Sequence, residues 1–407
     1  MGSAALDAHI TRVILAATEN DISTLEKCVN EYSFPDCKVV DVQDPETGFS
    51  PLHAVISSCK SSVNDHGIEK SDQEDAASST IRFLLENGAI WNQLDNNSET
   101  PGCLAYRLGL LQLYQLMVDA GVRAEMILSR LEEYERMGDE DEEEQEEPEE
   151  EQEEPKEDEE HMPGNDQLRS SEPRNSVVEL DGASQQDVNT SAYLSSTLSF
   201  SNSKLVDEVQ NGVMMAWESG IMKQSADMLL PAPELRILNI GFGMGIIDSH
   251  IQNSPKKPAR HYIVEAHPDV LKDMESKGWM SKTGVEVHRG KWQDVLPELA
   301  ADGETFDAIY FDTFAESYSE FREFFTEHVM ALLDQSGRWS FFNGMGADRQ
   351  ISYDVYQKVV EMDLFEAGFE VDWEDVELPK LDQEWEGVRR RYWNIDHYRL
   401  PICKFMD

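Results

Sequence analysis

One stretch decides the fold of this chain: Leu235-Arg-Ile-Leu-Asn-Ile-Gly-Phe-Gly-Met-Gly-Ile-Ile-Asp-Ser-His-Ile251. An apolar run is followed by three glycines spaced two apart, and apolar residues then recur at helical spacing. This pattern predicts a strand, a tight turn and a helix. Glycine tolerates positive φ and lets a ligand lie against the backbone, and the following helix points its free N–H groups at that ligand. The stretch therefore predicts a nucleotide or nucleoside site, or else an ordinary strand-to-helix turn packed by small residues.

Strand and helix patterns alternate after this stretch. Further strands are predicted over His261–Glu265, Val285–Arg289, Phe306–Phe311 and Gly337–Phe342, with helices over Pro268–Lys277 and Ser319–Leu333 and a closing pair of strands over Phe369–Val376 and Trp393–Lys404. Such alternation predicts a doubly wound, mostly parallel sheet. The segment before it, from Tyr193 to Leu230, is rich in Met and predicts helix that packs on the sheet.

Composition restricts the classes of partner. The 407 residues include 81 acidic and 34 basic ones, a formal charge of -47, which argues against binding to nucleic acid or to an anionic membrane. A basic partner fits this charge, and so does a purely solubilising role. The five cysteines are scattered and predict neither disulfides nor a metal site. No signal peptide or membrane span is evident, so we expect a soluble intracellular protein.

The first 133 residues predict helices of the ankyrin type. Two short helices joined at Thr18–Asp21 precede Ser50-Pro-Leu-His-Ala54, which is close to the signature that opens an ankyrin unit, and a weaker copy starts at Thr100. The polar stretch Lys60–Ser79 between the copies predicts a loop insertion. Ankyrin units usually bind proteins. His53 is expected to serve the fold through hydrogen bonds, because no cysteine or second histidine lies near it in the sequence.

A short helix is predicted over Met126–Arg136, before a strongly acidic run. Of the 22 residues from 139 to 160, 17 are acidic. Self-repulsion and the lack of apolar residues predict a disordered linker here. The predicted domains are thus 1–133, ankyrin-like; 134–180, linker; and 181–407, the doubly wound domain.

Several residues of the doubly wound domain carry candidate chemistry. Glu265 ends the second strand, where an acidic side chain accepts hydrogen bonds from ribose hydroxyls, or simply faces water. The third glycine, Gly245, comes one residue too early for a dinucleotide loop, which favours S-adenosylmethionine. Trp292 and Gln293 could contact its adenine, although Trp292 also suits a core. Asp312 leaves the fourth strand and suits either substrate chemistry or a helix N-cap.

Four motifs make the resemblance specific. In order and approximate spacing they resemble guanidinoacetate methyltransferase: Val213-Met-Met-Ala-Trp-Glu-Ser-Gly-Ile-Met222, Gly241-Phe-Gly-Met244, Gly290-Lys-Trp-Gln-Asp-Val295 and Asp312-Thr313. With the ankyrin-like front half, nearly the whole chain resembles the type IV protein arginine methyltransferase 2 family of fungi and plants. The chain differs from the small-molecule enzyme at Phe314-Ala315, where that enzyme has an aromatic residue and a proline.

The resemblance implies a class I S-adenosylmethionine-dependent methyltransferase fold, Rossmann-like, with an N-terminal ankyrin-repeat domain. It implies that the carboxylates of Glu218 and Asp312 hold a guanidinium and take up the proton lost in transfer. It also implies a cofactor site whose residues border S-adenosylmethionine: Tyr193, Met222, Phe242, Gly243, Met244, Gly245, Ile246, Ile247, Glu265, Ala266, His267, Trp292, Gln293 and Asp312. No metal is expected.

The family methylates the internal δ-nitrogen (N5) of arginine in proteins, and a ribosomal protein is the substrate that the resemblance suggests. We accordingly expect a monomer in cytoplasm and nucleus that binds a basic protein substrate. Two alternatives stay open at this point. The chain could methylate a small guanidine such as guanidinoacetate, or the ankyrin half could be an interaction scaffold attached to an inactive methyltransferase-like half.

Overall fold

A computed structural model describes residues 3–59, 69–143, 190–201 and 203–406. The chain forms two compact units, one of Met1–Arg123 with Asp187–Asp407 and one of Ala124–Gln186. In the second unit the described residues are the last part of one long helix. None of the helices in the described ranges is long and apolar enough to cross a membrane.

The N-terminal region is helical, as predicted. Its helices are α1 (Ser3–Thr18), α2 (Ile22–Glu31), α3 (Pro51–Ser58), α4 (Glu69–Glu86), α5 (Pro101–Arg107) and α6 (Leu111–Glu143). The predicted break at Thr18–Asp21 is confirmed, because Asp21 is the N-cap of α2 and accepts the backbone N–H of Thr24 at 3.1 Å. The structure shows helices in this region, and their assignment to ankyrin repeats stays a prediction.

Two predictions in this region are corrected. Helix α4 begins at Glu69, so the second half of the predicted loop 60–79 is helical, and residues 60–68 lie outside the described residues. Helix α6 runs continuously from Leu111 to Glu143 where a short helix over Met126–Arg136 was expected. Residues 134–143 of the predicted linker therefore belong to this helix. The remainder of the predicted linker, 144–180, lies outside the described residues.

His53 has the structural role that its motif predicted. The side chain is fully buried in α3. Its Nδ1 accepts the N–H of Ser50 at 3.2 Å, and its Nε2 lies 3.1 Å from the carbonyl oxygen of Glu99, which precedes α5. Because one nitrogen accepts and the other faces a carbonyl, a neutral ring protonated on Nε2 satisfies both contacts. The ring thus ties the starts of α3 and α5 together.

The C-terminal region contains a small and a large sheet. The small antiparallel sheet has the order β1 (Ser199–Phe200), β2 (Lys204–Val206) and β3 (Gly212–Met215). The strands of the seven-stranded sheet are β4 (Arg236–Ile240), β5 (Arg260–Glu265), β6 (Val285–Arg289), β7 (Phe306–Phe311), β8 (Leu333–Phe341), β9 (Phe369–Glu377) and β10 (His397–Phe405). The accompanying helices are α7 (Thr190–Ser195), α8 (Ser219–Leu229), α9 (Ile246–Asn253), α10 (Pro268–Ser276), α11 (Trp292–Ala301), α12 (Tyr318–Glu323), α13 (Met330–Leu332) and α14 (Gln350–Glu366).

The large sheet confirms the predicted doubly wound topology. Its strand order is β6-β5-β4-β7-β8-β10-β9, in which the first five strands are parallel and β10 is antiparallel to both neighbours. The order reverses between β4 and β7, so the loops after these two strands diverge to opposite faces and leave a crevice at their carboxyl ends. The glycine turn follows β4, and Asp312 follows β7.

Alternation along the strands builds a core on each face of the sheet. Ile237 and Tyr310 pack on one face with α8, α9 and α10, whereas Leu238 and Phe311 pack on the other with α11 and α12. Successive side chains of a strand point to opposite faces, so the run of apolar residues that marks β4 is buried on both sides.

Four sequence-based element assignments differ from the structure, and one of them is the closing strand β10, which starts at His397 instead of Trp393. The segment predicted as helix from Tyr193 to Leu230 contains the small sheet, and helix α8 begins only at Ser219. Met214 of β3 packs in the core beside Met222 and Phe242 and does not belong to a helical stripe. The helix predicted over Ser319–Leu333 consists of α12, a π-helical turn over Phe324–Val329 and α13. Strand β8 starts at Leu333, four residues before the predicted start.

The N-terminal helices pack against α14 of the sheet domain. The hydroxyl of Tyr114 donates to Asp354 at 2.5 Å, and Lys358 pairs with Asp119 at 3.3 Å. Glycines allow the close approach: a Cβ on Gly121 would lie 2.6 Å from Cγ2 of Val355. Helix α14 follows the loop after β8, so the contact joins the N-terminal region to the edge of the crevice.

Candidate active site

The turn after β4 requires its glycines. Gly241, Gly243 and Gly245 have φ values of +88°, +54° and +71°, which side chains with a Cβ rarely adopt. At Gly241 a Cβ would also lie 1.9 Å from the carbonyl oxygen of Asp312. The backbone of the turn is held from both sides, since Gly241 donates to Val264 and Asp312 donates to Ile240, both at 2.9 Å. The predicted strand, glycine turn and helix are confirmed.

Glu265 connects the glycine turn to the end of β5. Its Oε2 accepts the N–H of Phe242 at 2.9 Å, and its Oε1 accepts the N–H of His267 at 2.7 Å. The side chain is 7% exposed, so it does not simply face water. Burial raises its pKa, and the backbone N–H donors oppose that shift. A carboxylate has about four acceptor positions, so it can still accept hydroxyl donors from the cleft.

A first cleft opens over this turn, and we call it the glycine-loop cleft. Its walls include seven of the residues predicted to border the cofactor, which are Tyr193, Gly243, Glu265, Ala266, Trp292, Gln293 and Asp312. Residues that were not predicted to border the cofactor also line it, among them Thr190, Val213, Met214, Lys291 and Glu316. Six separate parts of the chain therefore converge on one space.

The other predicted cofactor residues do not line this cleft. Met222, Phe242 and Ile247 are buried in the core beneath the turn. The Nδ1 atom of His267 accepts the N–H of Asp269 at the start of α10, and its Nε2 lies 3.0 Å from the carbonyl oxygen of Tyr193. Met244, Gly245 and Ile246 complete the turn and begin α9. Contact of all seven of these residues with a cofactor stays a prediction.

Trp292 packs in the core and also lines the glycine-loop cleft, and its contact with adenine stays a prediction. The indole is 3% exposed and packs edge-on against Phe311 and Phe324, so most of it is core. Its Nε1–H donates to both carboxylate oxygens of Glu316, at 2.7 and 2.9 Å. The polar edge of Trp292 therefore holds an acidic side chain at the cleft wall.

A second, wider cleft adjoins the first, and we call it the carboxylate cleft. It contains Glu218 and Asp312 together with Tyr392. The two clefts share Thr190, Val213, Asp312, Thr313, Phe314 and Glu316, so the loop after β7 forms most of the wall between them. Glu218 comes from the turn between β3 and α8 and is 2% exposed. The structure thus brings together the two carboxylates that the motifs had separated by 94 positions.

Both carboxyls of this cleft hold their protons unusually strongly. Burial, and after it the charge of Asp312, raises the pKa of Glu218 to about 8. Burial, and after it the charge of Asp248, raises the pKa of Asp312 to about 7. The Oδ2 atom of Asp312 is buried and has no hydrogen-bond partner among the described residues. Such a site is poised to accept N–H donors from a cation.

The C-terminal part of the carboxylate cleft was not predicted. Arg390, Arg391 and Tyr392 lie between β9 and β10 and reach the cleft. The hydroxyl of Tyr392 donates to Oε1 of Glu218, across 174 positions of sequence. No local spacing signals such a contact, since it depends on how β9 and β10 close the sheet.

The comparisons with known proteins agree with this geometry. A family model for guanidinoacetate N-methyltransferase matches residues 189–400. The protein arginine N-methyltransferase 2 of Aspergillus fumigatus is 52% identical over 417 aligned positions that cover 99% of this chain and 97% of the relative.

This chain belongs to the protein arginine N-methyltransferase 2 family.

Other members of the protein arginine N-methyltransferase 2 family have comparable similarity. The Neurospora crassa protein is 46% identical and covers 98% of this chain and 96% of its own length, and the Yarrowia lipolytica protein is 38% identical with 88% and 84% covered. Among solved structures, a precorrin-6y C5,15-methyltransferase from Geobacter metallireducens aligns with 51% of this chain and 93% of its own at a TM-score of 0.34 and 14% identity. Spermidine synthase from Thermotoga maritima aligns with 52% and 73% at a TM-score of 0.37 and 12% identity.

The strand order and the family together identify the class I S-adenosylmethionine-dependent methyltransferase fold. S-adenosylmethionine is accordingly the cofactor of this family member. The residues of the glycine-loop cleft fit it: Glu265 offers acceptors for ribose hydroxyls, and the glycine backbone admits close approach. Asp312 adds a carboxylate oxygen without a partner among the described residues.

Proposed function

We propose that this chain transfers a methyl group from S-adenosylmethionine to the δ-nitrogen (N5) of an arginine in a protein substrate. The observation that carries the proposal is the shared wall at Asp312, where the glycine-loop cleft meets a cleft that contains a second buried carboxyl, Glu218. A cofactor cleft and a cation-binding cleft that share one carboxylate suit methylation of a guanidinium.

The charge of the arginine side chain supports this assignment. Ionisation of Glu218 and Asp312 is unfavourable because both carboxyls are buried and because their negative charges repel each other. An arginine guanidinium, which stays protonated in proteins, offsets both terms because it brings an opposite charge and five N–H donors. Binding of the guanidinium therefore ionises Glu218 and Asp312. The two carboxylates in turn orient the guanidinium by paired N–H···O contacts.

The same carboxylates suit the proton transfer. A guanidinium nitrogen that gains a methyl group must lose its proton, and a base is most effective when its pKa is near the working pH. With pKa values of about 8 and about 7 in the free site, Glu218 and Asp312 can hold that proton. S-adenosylmethionine, when bound, supplies the electrophilic methyl group. Gly243 and Glu265 would hold it in the adjoining cleft.

The choice of the δ-nitrogen rests on the resemblance to the type IV enzymes. The decisive experiment is incubation with labelled S-adenosylmethionine and a basic protein extract, followed by acid hydrolysis. We expect labelled N5-methylarginine. Labelled ω-methylarginine alone would contradict the choice of nitrogen, and absence of transfer to any protein would contradict the function.

Methylation of free guanidinoacetate is a second candidate, favoured by the family model that matches residues 189–400. The width of the carboxylate cleft supports a protein substrate, because its walls extend to Asp348 and Arg391. Rates on guanidinoacetate and on protein decide between the two. If S-adenosylmethionine does not bind in calorimetry, the reading as an ankyrin scaffold with an inactive catalytic half applies.

We further propose an ankyrin-like role for residues 1–133, supported by the three successive helix pairs from α1 to α6. The net charge of -47 supports a basic substrate, such as a ribosomal protein, and argues against nucleic acid and anionic membranes. We propose a monomer located in cytoplasm and nucleus. Mass spectrometry of proteins captured by the full chain, with sizing of the free chain by light scattering, tests the substrate and the monomer.

A further inference from the structure

Glu218 binds its protein partners through one oxygen. The Oε1 atom accepts the backbone N–H of Met215 at 2.8 Å and also the hydroxyl of Tyr392. The Oε2 atom has no hydrogen-bond partner among the described residues. The carboxylate is therefore fixed at one end and free to accept donors from the cleft at the other.

Tyr392 is itself held firmly in place. Its ring lies 4.9 Å from Trp385 in an edge contact and 6.3 Å from Trp217 in a stacked one, measured between ring centroids. Gly212 forms the third wall, where a Cβ would lie 3.1 Å from the ring. Backbone pairing fixes the segment, since Arg389 donates to Gln210 at 2.7 Å. These contacts leave the hydroxyl directed at Glu218.

We propose that Tyr392 is a positioning residue for Glu218, which it turns so that Oε2 faces the arginine substrate. The inference rests on the proposed function, in which Glu218 holds the guanidinium. It adds a contribution from the segment between β9 and β10, which lies outside the four motifs that suggested the carboxylate pair.

The hydrogen bond also favours the ionised form of Glu218. A hydroxyl that donates to a carboxylate stabilises its charge and opposes the burial that raises the pKa. The hydroxyl of Tyr392 keeps its proton and can donate it to Glu218, because burial and the neighbouring carboxylates raise the pKa of Tyr392 far above the usual value. Without this donor the pKa of Glu218 rises further, and the site binds a cation less well at neutral pH.

Other titratable and charged groups also surround Glu218, and a substitution of Tyr392 does not remove them. Asp312 faces it from the loop after β7, and its charge raises the pKa of Glu218. The phenols of Tyr310 and Tyr398 lie near it from β7 and β10, and the charge of Glu218 raises the pKa of each. Arg390 and Arg391 line the same cleft. A shift in pH dependence on removing one hydroxyl therefore reports on the bond between Tyr392 and Glu218.

The first test is Tyr392→Phe, which keeps the ring and removes the hydroxyl. We expect kcat/KM for the protein substrate to fall about tenfold at pH 7, the usual scale for losing a hydrogen bond to a charged group. The acidic limb of kcat/KM should move to higher pH, so that the loss shrinks to about threefold or less at pH 9.5. Affinity for S-adenosylmethionine should stay unchanged. A loss that is the same at every pH, or no loss, would overturn the proposal.

Tyr114→Phe is the matched control, because this hydroxyl also donates to a carboxylate but belongs to the contact between α6 and α14. The control should leave the pH profile of kcat/KM in place. A shift of the profile in both variants would show that removal of any buried phenol hydroxyl suffices, and would also count against the proposal.

A second test does not depend on activity. The melting temperatures of the wild type, Tyr392→Phe, Glu218→Gln and the double variant are compared at pH 6 and pH 9. We expect Tyr392→Phe to lower the melting temperature more at pH 9, where Glu218 is ionised, and this pH dependence to vanish in the Glu218→Gln background. Equal shifts in both backgrounds would refute the inference. If the wild type methylates no protein, the proposed function fails while this cycle still measures the bond.

Discussion

Asp312 is partly buried at the end of β7, and the Oδ2 atom of its carboxyl has no partner among the described residues. Natural proteins seldom keep such a group unless it meets a ligand, because an unsatisfied buried acceptor costs about 1–3 kcal/mol. Glu218 is buried with a raised pKa in the adjoining wall. At the scale of single residues, the site thus holds two carboxyls in an environment that destabilises their charged forms until a cation arrives.

Asp312→Asn and Glu218→Gln should each lower kcat by about 10²–10⁴-fold, the usual effect of removing a proton acceptor. Both substitutions keep the side-chain shape, so the glycine-loop cleft should still bind S-adenosylmethionine with nearly the same Kd. Turnover assays and calorimetry on the same preparations measure the two effects. If kcat and cofactor affinity fall together, these carboxylates hold the fold or the cofactor instead.

Asp312→Asn should also change how stability depends on pH. The folded pKa of about 7 lies above the ordinary aspartate pKa of 3.8, so between these values the folded state keeps a proton that the unfolded state has lost. The free energy of unfolding of the wild type therefore falls as pH rises through this window and levels off above pH 7. The variant lacks this fall, so it should gain on the order of 2 kcal/mol relative to the wild type between pH 4 and pH 8.

Urea titrations at pH 4, 6 and 8 measure the difference in unfolding free energy between Asp312→Asn and the wild type. Asp307→Asn is a suitable control, since its pKa is lowered in the fold, with burial opposed by contacts to Arg236. Its folded state releases the proton more readily than the unfolded state, so its contribution to stability is lost only below the ordinary pKa of 3.8. The difference in unfolding free energy between Asp307→Asn and the wild type should therefore stay nearly constant from pH 4 to pH 8. A difference for Asp312→Asn that stays constant with pH would contradict the raised pKa.

At the scale of an element, the turn between β4 and α9 requires glycine at three alternating positions. Each glycine adopts positive φ, and the turn also runs against the backbone of the loop after β7. Strain from positive φ alone costs about 1 kcal/mol for an alanine, whereas a clash with backbone atoms forces the loop to move.

Gly241→Ala should therefore cost about 3 kcal/mol or more in unfolding free energy and weaken S-adenosylmethionine binding. Its Cβ would lie 1.9 Å from the carbonyl oxygen of Asp312. Gly303→Ala separates the two causes, because Gly303 has φ +78° but nothing within 4 Å of the added Cβ. It should cost about 1 kcal/mol and leave binding intact. Similar losses in both variants would mean that backbone strain alone accounts for the effect.

At the scale of the whole molecule, the main feature is the contact between the N-terminal helices and α14. The contacts of the N-terminal helices with α14 include a hydrogen bond, an ion pair and two glycines, Gly102 and Gly121, that lie against Ile351 and Val355. The ion pair of Lys358 and Asp119 is about half exposed on each side and contributes little. Close packing at the glycines therefore carries most of the contact.

Gly121→Ala should destabilise this contact, because its Cβ would lie 2.6 Å from Val355 and 3.1 Å from Trp91. Overpacking of this kind costs about 1–3 kcal/mol. Val355→Ala should cost less in the Gly121→Ala background than in the wild type, since it removes the methyl group that clashes. Gly220→Ala in helix α8, with nothing within 4 Å, should leave stability equal or slightly higher. Thermal unfolding of the four variants gives the values, and strictly additive effects would argue against the contact.

Much of the fold was readable from the chain because its signals are local. The limits of β6 and β7 were predicted to the residue, and those of β5 within one, since apolar runs between turn signals have few alternative interpretations. The small sheet around Val213 was misread as helix, because methionine and tryptophan suit both states. The π-helical turn at Phe324–Val329 has no local signature, since it arises where bulky aromatic side chains pack between α12 and β8.

The candidate site divides in the same way. Gly241, Glu265 and Asp312 stand at strand ends, where sequence position alone places a side chain in the crevice of a doubly wound sheet. The pairing of Glu218 with Asp312 came from motifs shared with a family. Neither the positions of strand ends nor the shared motifs predict Tyr392 or Glu316, because their partners depend on how distant loops fold over the sheet.

By itself the sequence determined the doubly wound sheet, the glycine turn and the acidic side chains at its edge, because hydrophobic periodicity and glycine geometry act over a few neighbouring residues. Only the tertiary structure decided that two clefts share Asp312, that Tyr392 holds Glu218, and that α14 supports the N-terminal helices. Those features depend on contacts between residues far apart in the chain, such as positions 218 and 392, whose burial and electrostatics exist only once the strands are ordered in the sheet.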